Sequence, residues 1–191
     1  MLEAHDPLRS QADNLLAALY AAKGLTVPVA PSTPARQERT VVARRGDRIV
    51  GTLIIGLDGE DGLLADTLYG AQLNTVRQQG GRICELTRFA IDPSANSSAL
   101  MSAIFSLGFL VGRLMHDMTD AVIEVHPRHA AYYGRRFGYR IAGPEHICPR
   151  VGAPAVLMHV SLLEAEAQIR QDGGRRYACS PELLARLFAN A

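Results

Sequence analysis

Three short stretches of this 191-residue chain hold side chains suited to chemistry. CELTRFAI (84–91) sets Glu85 and Arg88 inside an otherwise strand-like run, where charged groups are seldom buried without a partner. They are either a structural ion pair or a reaction centre. In a reaction centre, Glu85 serves as a general base and Arg88 as a bidentate anchor for a carboxylate. In IEVHPRH (123–129), His126 and His129 bracket Pro127-Arg128 where a strand gives way to a helix. Imidazoles there suit substrate contact or proton relay, and equally a helix-capping turn. Two histidines without an obvious third ligand are a weak zinc signal, so no metal is expected. DPSANSS (92–98) ends in Ser97 and Ser98, either of which suits the N-cap of a following helix.

The elements that position these residues follow from periodicity. Strand alternation places Glu85, Thr87 and Phe89 on one face, with Cys84 and Arg88 on the other. Only a bulge would bring Arg88 round to the Glu85 side. Upstream, residues 7–23 read as an amphipathic helix with Leu8, Leu15, Leu16, Leu19 and Tyr20 on one face, and 28–36 as a proline-rich loop. A hairpin follows over 39–57, broken at 44–47, then a polar turn at 58–62 and a helix over 64–79 ended by Gly80-Gly81. Downstream, a buried helix runs to about His116. DAVIEV (120–125) is a nearly all-apolar central strand, and 127–137 is a short helix closed by Gly138. Two more strands (139–147 and 153–162) and a helix (161–171) complete one domain over 1–171. Residues 172–191 read as a flexible link and a last amphipathic helix. This order describes an α/β fold, a twisted mixed sheet flanked by helices, and not an all-β sandwich.

Composition excludes several classes. Hydrophobic residues make up 48%, too many for a disordered chain. Lys+Arg 20 against Asp+Glu 19 leaves no global charge to attract nucleic acid or a membrane surface. The uncharged stretch 99–112 is shorter than the ~20 apolar residues of a spanning helix, and reads as a core helix with no transmembrane segment expected. Cys84, Cys148 and Cys179 are widely spaced and lack a CxxC pair. They fit reduced thiols in the cytoplasm, and the polar N-terminus is unlike a signal peptide. Between residues 126 and 150, Arg128, Arg135, Arg136, Arg140 and Arg150 face one acid, Glu145.

Two segments carry a family resemblance. CELTRFAID is similar to the E-x-[ST]-R-[FL] strand of the acyl-homoserine lactone synthases, through Glu85, Thr87, Arg88 and Phe89. IEVHPRHAAYYGRRFGY resembles the V-x-P-R-H-x-x-F-Y-x-R-x-x-G-F segment of the bacterial N-acyl amino acid synthases, the FeeM-like group. Its matches are Val125, Pro127, Arg128, His129, Tyr133, Arg135 and Gly138, while Tyr132 and Tyr139 replace phenylalanines. Residues 51–69 also look like that group's hairpin and following helix. The likeness spans roughly residues 40–162.

The resemblance implies a GNAT-like acyltransferase fold, whose sheets commonly splay at the 84–91 strand. It implies transfer of a long-chain acyl group from a thioester to the amine of an amino acid or similar small molecule, by direct attack. Glu85 and Tyr133 are then the catalytic candidates, as general base and as the acid that protonates the departing thiolate. Thr87, Arg88, Phe89, His126, Arg128 and His129 are the substrate-binding candidates. The superfamily's Q/R-x-x-G-x-G/A loop for the coenzyme A pyrophosphate is replaced by DPSANSS. An acyl carrier protein is therefore the expected donor and partner; the co-substrate is its acyl-phosphopantetheine or, alternatively, acyl-CoA, with no permanently bound cofactor. Ser97 and Ser98, at a helix N-terminus, would hold the single phosphate of the phosphopantetheine arm. The arginine cluster would steer an acidic carrier protein. Phe105, Leu107, Phe109, Val111 and Leu114 would either line an acyl slot or pack an ordinary core. A coenzyme A-dependent N-acetyltransferase and a catalytically inactive GNAT-like binding domain stay open as alternatives, and so does the oligomeric state.

Overall fold

A computed structural model of the protein describes residues 8–25, 37–95 and 98–172. The proline-rich loop, Ser97, Cys179, most of the expected link and the last helix lie outside the described residues. Helix α1 (Leu8–Ala21) packs against the first strands of the sheet through buried Ala12 and Leu16. The hairpin forms as expected from β1 (Glu38–Arg45) and β2 (Arg48–Leu57), joined through Gly46 at φ +61°. Helix α2 (Asp66–Gln78) precedes β3 (Ile83–Ile91). Helix α3 (Ser98–Phe109) runs on as a π-helical segment over Leu110–Met115. Strand β4 (Asp120–Val125) leads into α4 (Pro127–Phe137), which Gly138 ends in the left-handed region at φ +78°.

The expected strand over 139–147 is instead two short pieces, β5 (Arg140–Ile141) and β6 (His146–Cys148). Gly143-Pro144 lies between them, and proline cannot donate to a ladder. Strand β7 (Ala153–Ser161) and helix α5 (Leu162–Asp172) complete the described chain. The sheet order is β1-β2-β3-β4-β7-β5, with β6 also paired to β7. Only β3–β4 is parallel, so the sheet is mixed.

Alternation divides the core into two layers. Ile83, Val122 and Leu157 turn to α2, where they meet Tyr69 and Leu73. Cys84, Ala121, Ile123, Val156 and Met158 turn to the other face, against Phe105, Phe109, Phe137 and Leu162. Ser98–Met115 is long and apolar enough to cross a membrane by length and composition alone. Its buried side lies on the sheet, as in a central core helix, and Gly112 allows close approach to it. A Cβ at Gly112 would stand 2.8 Å from the Cys84 Sγ.

Candidate active site

Two irregularities in the sheet create the site. Strand β3 pairs with β4 only from Ile83 to Glu85, opposite Asp120 to Val122, and beyond that point the ladder stops. On its other edge, β3 slips against β2: Thr87 faces Ile54, but Ala90 faces Thr52, which leaves one extra residue on β3. This is a β-bulge, with Arg88 at φ +49°. A left-handed conformation costs a non-glycine residue roughly 1–2 kcal/mol, so the surrounding structure must hold Arg88 there. The bulge corrects simple alternation in one respect. Phe89 joins the α3 face, 5.3 Å from the Phe105 ring, and does not stay with Glu85 and Thr87.

Where β3 and β4 part, a cleft of about 430 Å³ opens. Leu86, Thr87, Arg88 and Phe89 line it from β3, and Ile123, Glu124, Val125 and His126 from β4. Arg128, His129 and Tyr133 reach it from α4, Phe105 from α3, and Tyr20 from α1. All six substrate-binding candidates and Tyr133 therefore come together. Ser98 begins α3, is exposed, and is not among the lining residues.

Glu85 is placed differently. The residue is 2% exposed and does not line the cleft. Its Oε2 accepts from the backbone N–H groups of Leu64 (2.7 Å) and Ala65 (3.3 Å), just ahead of α2. A carboxylate here satisfies donors that the helix cannot, and meets the positive end of its dipole. The same turn is pinned from outside. Asp66 Oδ2 accepts from Leu63 N–H at 2.7 Å, while Arg77 donates to both Asp66 and Asp58 at 2.7–2.9 Å. Nor do Glu85 and Arg88 pair: Arg88 Nη1 donates to Glu38 Oε2 at 3.3 Å.

The cleft also holds an acid that the motif does not mark. Glu124 is only 9% exposed at its side chain, and its Oε2 pairs with the Arg150 guanidinium. Arg150 also donates to the Leu64 carbonyl at 2.9 Å. One arginine of the expected basic face thus turns inward, and Arg136 is tied to Ser102; Arg128, Arg135 and Arg140 stay exposed. Three buried side-chain atoms lack a hydrogen-bond partner among the described residues: Arg88 Nε, Glu124 Oε1 and His116 Nε2. The first two belong to cleft walls. Leaving a buried polar group unmet costs about 1–3 kcal/mol, and more for a charge. A signal for Glu124 was present in the sequence, as the acid that interrupts the apolar run following Asp120 in DAVIEV.

Helix α4 arranges the remaining groups. His126 caps it, with Nδ1 accepting from Arg128 N–H at 3.3 Å, and Arg128 Nε donates to His129 Nε2 at 3.1 Å. His129 is exposed overall, yet its ring stands in the cleft wall. Partial desolvation there, and then the charge of Arg128, lower its pKa. Of the two tyrosines, Tyr133 turns to the cleft, while the Tyr132 hydroxyl donates to Met101 Sδ at 3.0 Å. Burial pushes the Tyr133 phenol up to about 12, so its hydroxyl is neutral at pH 7. Cys84 lies behind the sheet, its thiol also raised to about 12 by burial. Both described cysteines, Cys84 and Cys148, are free.

A cleft between parted strands, with apolar walls and opposed charges, can hold an acyl chain beside an amine. The sequence comparison agrees with that geometry. The family profile of the N-acyl amino acid synthase FeeM matches residues 11–161. The chain belongs to the FeeM family of N-acyl amino acid synthases. No curated protein matches the sequence. The solved structure of FeeM, from uncultured soil microbes, matches this fold with a TM-score of 0.75 at 24% identity, covering 84% of this chain and 94% of that one. An acyl-CoA N-acyltransferase from Pseudomonas aeruginosa matches with a TM-score of 0.58 at 13% identity, over 84% and 93% of the two chains. The coenzyme A-dependent acyl-homoserine lactone synthase MesI gives 0.56 at 18%, over 91% and 90%. These neighbours establish the GNAT-like fold, and membership of the FeeM family makes this chain an N-acyltransferase.

Proposed function

We propose that this FeeM-family protein is a cytoplasmic enzyme that moves a long-chain acyl group from an acyl carrier protein thioester to the amine of an amino acid. The observation that carries the reading is the cleft where β3 and β4 part, in which Leu53, Leu86, Phe89, Phe105 and Ile123 share one cavity with Arg88 and Glu124. Each buried methylene of an acyl chain contributes about 0.8 kcal/mol, so such walls favour a long chain over acetyl. Support for the carrier protein comes from DPSANSS, which lacks the glycines and the basic residue that cradle a pyrophosphate. The exposed Arg128, Arg135 and Arg140 would steer an acidic partner. The exposed start of α3 at Ser98, with Ser97 before it, offers free N–H groups to the single phosphate of the arm.

In this reading the amine loses a proton and attacks the thioester carbonyl directly. The C–N bond forms, the carbonyl pair moves to oxygen, and its return expels the thiolate, which Tyr133 protonates. No covalent enzyme intermediate is involved, since Cys84 keeps its proton on the far face. Arg88, Thr87 and the His126–Arg128–His129 group bind the acceptor and the thioester arm, and Phe89 packs along the acyl chain.

The test supplies purified protein with a long-chain acyl carrier protein thioester, the matching acyl-CoA or acetyl-CoA, and a mixture of amino acids. Thiol release and N-acyl amino acids are followed by mass spectrometry. We expect amides from the carrier-protein donor at the highest kcat/KM. Preferential turnover of acetyl-CoA would make the protein an acetyltransferase. Binding of acyl chains without amide formation would make it a binding domain.

A further inference from the structure

The acyl-transfer reading leaves unassigned the group that takes the proton from the acceptor's ammonium. We propose that Glu124, held by Arg150 and set in the same cleft as Arg88, receives the ammonium of a zwitterionic acceptor and removes its proton, while Glu85 positions it from outside the cleft. This assignment rests on the acyl-transfer reading.

Complementarity of unmet atoms is the first argument. Among the described residues, the two cleft side chains with partnerless buried atoms are a cation and an anion, Arg88 at Nε and Glu124 at Oε1. A bare amine would answer only one of them. An α-amino acid answers both, its carboxylate accepting from Arg88 and its ammonium donating to Glu124.

The second argument is connection. Glu85 Oε2 accepts from Leu64 N–H, the Leu64 carbonyl accepts from Arg150 Nη1, and Arg150 Nη2 pairs with Glu124 Oε2. One residue, Leu64, thus separates the motif glutamate from the guanidinium that orients the cleft glutamate. Arg150 occupies only one oxygen of Glu124, leaving Oε1 for the substrate.

The protons balance. The Glu124 carboxylate takes one from the ammonium, and the neutral nitrogen then forms the C–N bond. The second proton leaves the nitrogen as the tetrahedral species collapses and replaces the one Tyr133 has given to the thiolate. Glu124 returns its proton to solvent, so each turnover yields amide, thiol and one proton.

The experiment compares Glu124→Gln with wild type on two acceptors, an amino acid and aminooxyacetate, whose nitrogen is already neutral at pH 7. Both use the same acyl donor. We expect the variant to lose about 10²–10⁴-fold in kcat with the amino acid and to stay near the wild-type rate with aminooxyacetate. An equal loss on both acceptors, or no loss on either, overturns the assignment. Glu124→Asp guards against a folding defect by keeping the charge, and should recover part of the amino-acid rate. If wild type acylates neither acceptor, the acyl-transfer reading itself fails, an outcome distinct from failure of Glu124 alone.

Discussion

Removing the Glu85 carboxylate should weaken the fold more than a surface change would, and should do so through the backbone of Leu64 and Ala65. In Glu85→Ala the two N–H groups at 2.7 and 3.3 Å lose their acceptor, and Ala65 is fully buried. Hydrogen bonds to a charged group contribute about 1.5–3 kcal/mol each, the longer one at the low end. The negative charge at a helix N-terminus adds about 0.3–1 kcal/mol. Together these give a loss of about 3–5 kcal/mol for Glu85→Ala. For a chain of this length, about 2–4 °C per kcal/mol makes that a drop of about 6–20 °C in Tm. Glu85→Gln keeps a carbonyl acceptor and loses only the charge, so about 1–2 kcal/mol is expected. Calorimetry on both variants, paired with kcat and KM on the acyl-transfer reaction, separates positioning from chemistry. Positioning predicts Tm loss in the order Ala, then Gln, with Gln keeping most of its kcat. A Gln variant with unchanged Tm and a kcat reduced a hundredfold or more would refute the reasoning and return the base role to Glu85.

Two further outcomes test the remaining chemistry and the electrostatics of the sheet. Tyr133→Phe should lower kcat about 10²-fold or more, with little change in donor KM, because a proton donor to the thiolate is lost; an unchanged kcat in single-turnover experiments removes Tyr133 from the mechanism. At the other end of β4, Asp120 Oδ1 lies 2.6 Å from His159 Nε2, and Oδ2 accepts from Thr119 at 2.6 Å. Burial pushes its pKa up, but these hydrogen bonds outweigh it and the net shift is downward. The folded value then lies below an unfolded value of about 3.9, so the stabilisation is complete above roughly pH 4 and is lost as pH falls through the folded value. Asp120→Asn should therefore lower the denaturation midpoint more at pH 7 than at pH 3, and an equal loss at both contradicts the linkage.

Local patterns were legible wherever a physical period or stop residue was local. The hairpin at 44–47, the apolar strand DAVIEV, the Pro-to-Gly helix 127–137 and the family motifs all carry their causes within a few residues. They also picked out side chains that the fold brings together, since Thr87, Arg88, Phe89, His126, Arg128, His129 and Tyr133 all line one cleft. The split of 139–147 into two short strands was written there too, in Gly143-Pro144.

Relations across the sheet belonged to the tertiary structure. Whether β3 carries a bulge depends on its register with β2, and whether a cleft exists depends on where β3 leaves β4. Those choices turned Phe89 to the α3 face, brought Arg88 into the cavity and left Glu85 bonded to the start of α2. They also turned Arg150 inward to meet Glu124. Sequence by itself determined most of the elements and the family, because helical and strand periodicity and short motifs are local. The identity of the carboxylate in the cleft was decided only in three dimensions, because a side chain's access depends on partners from 20 or more residues away.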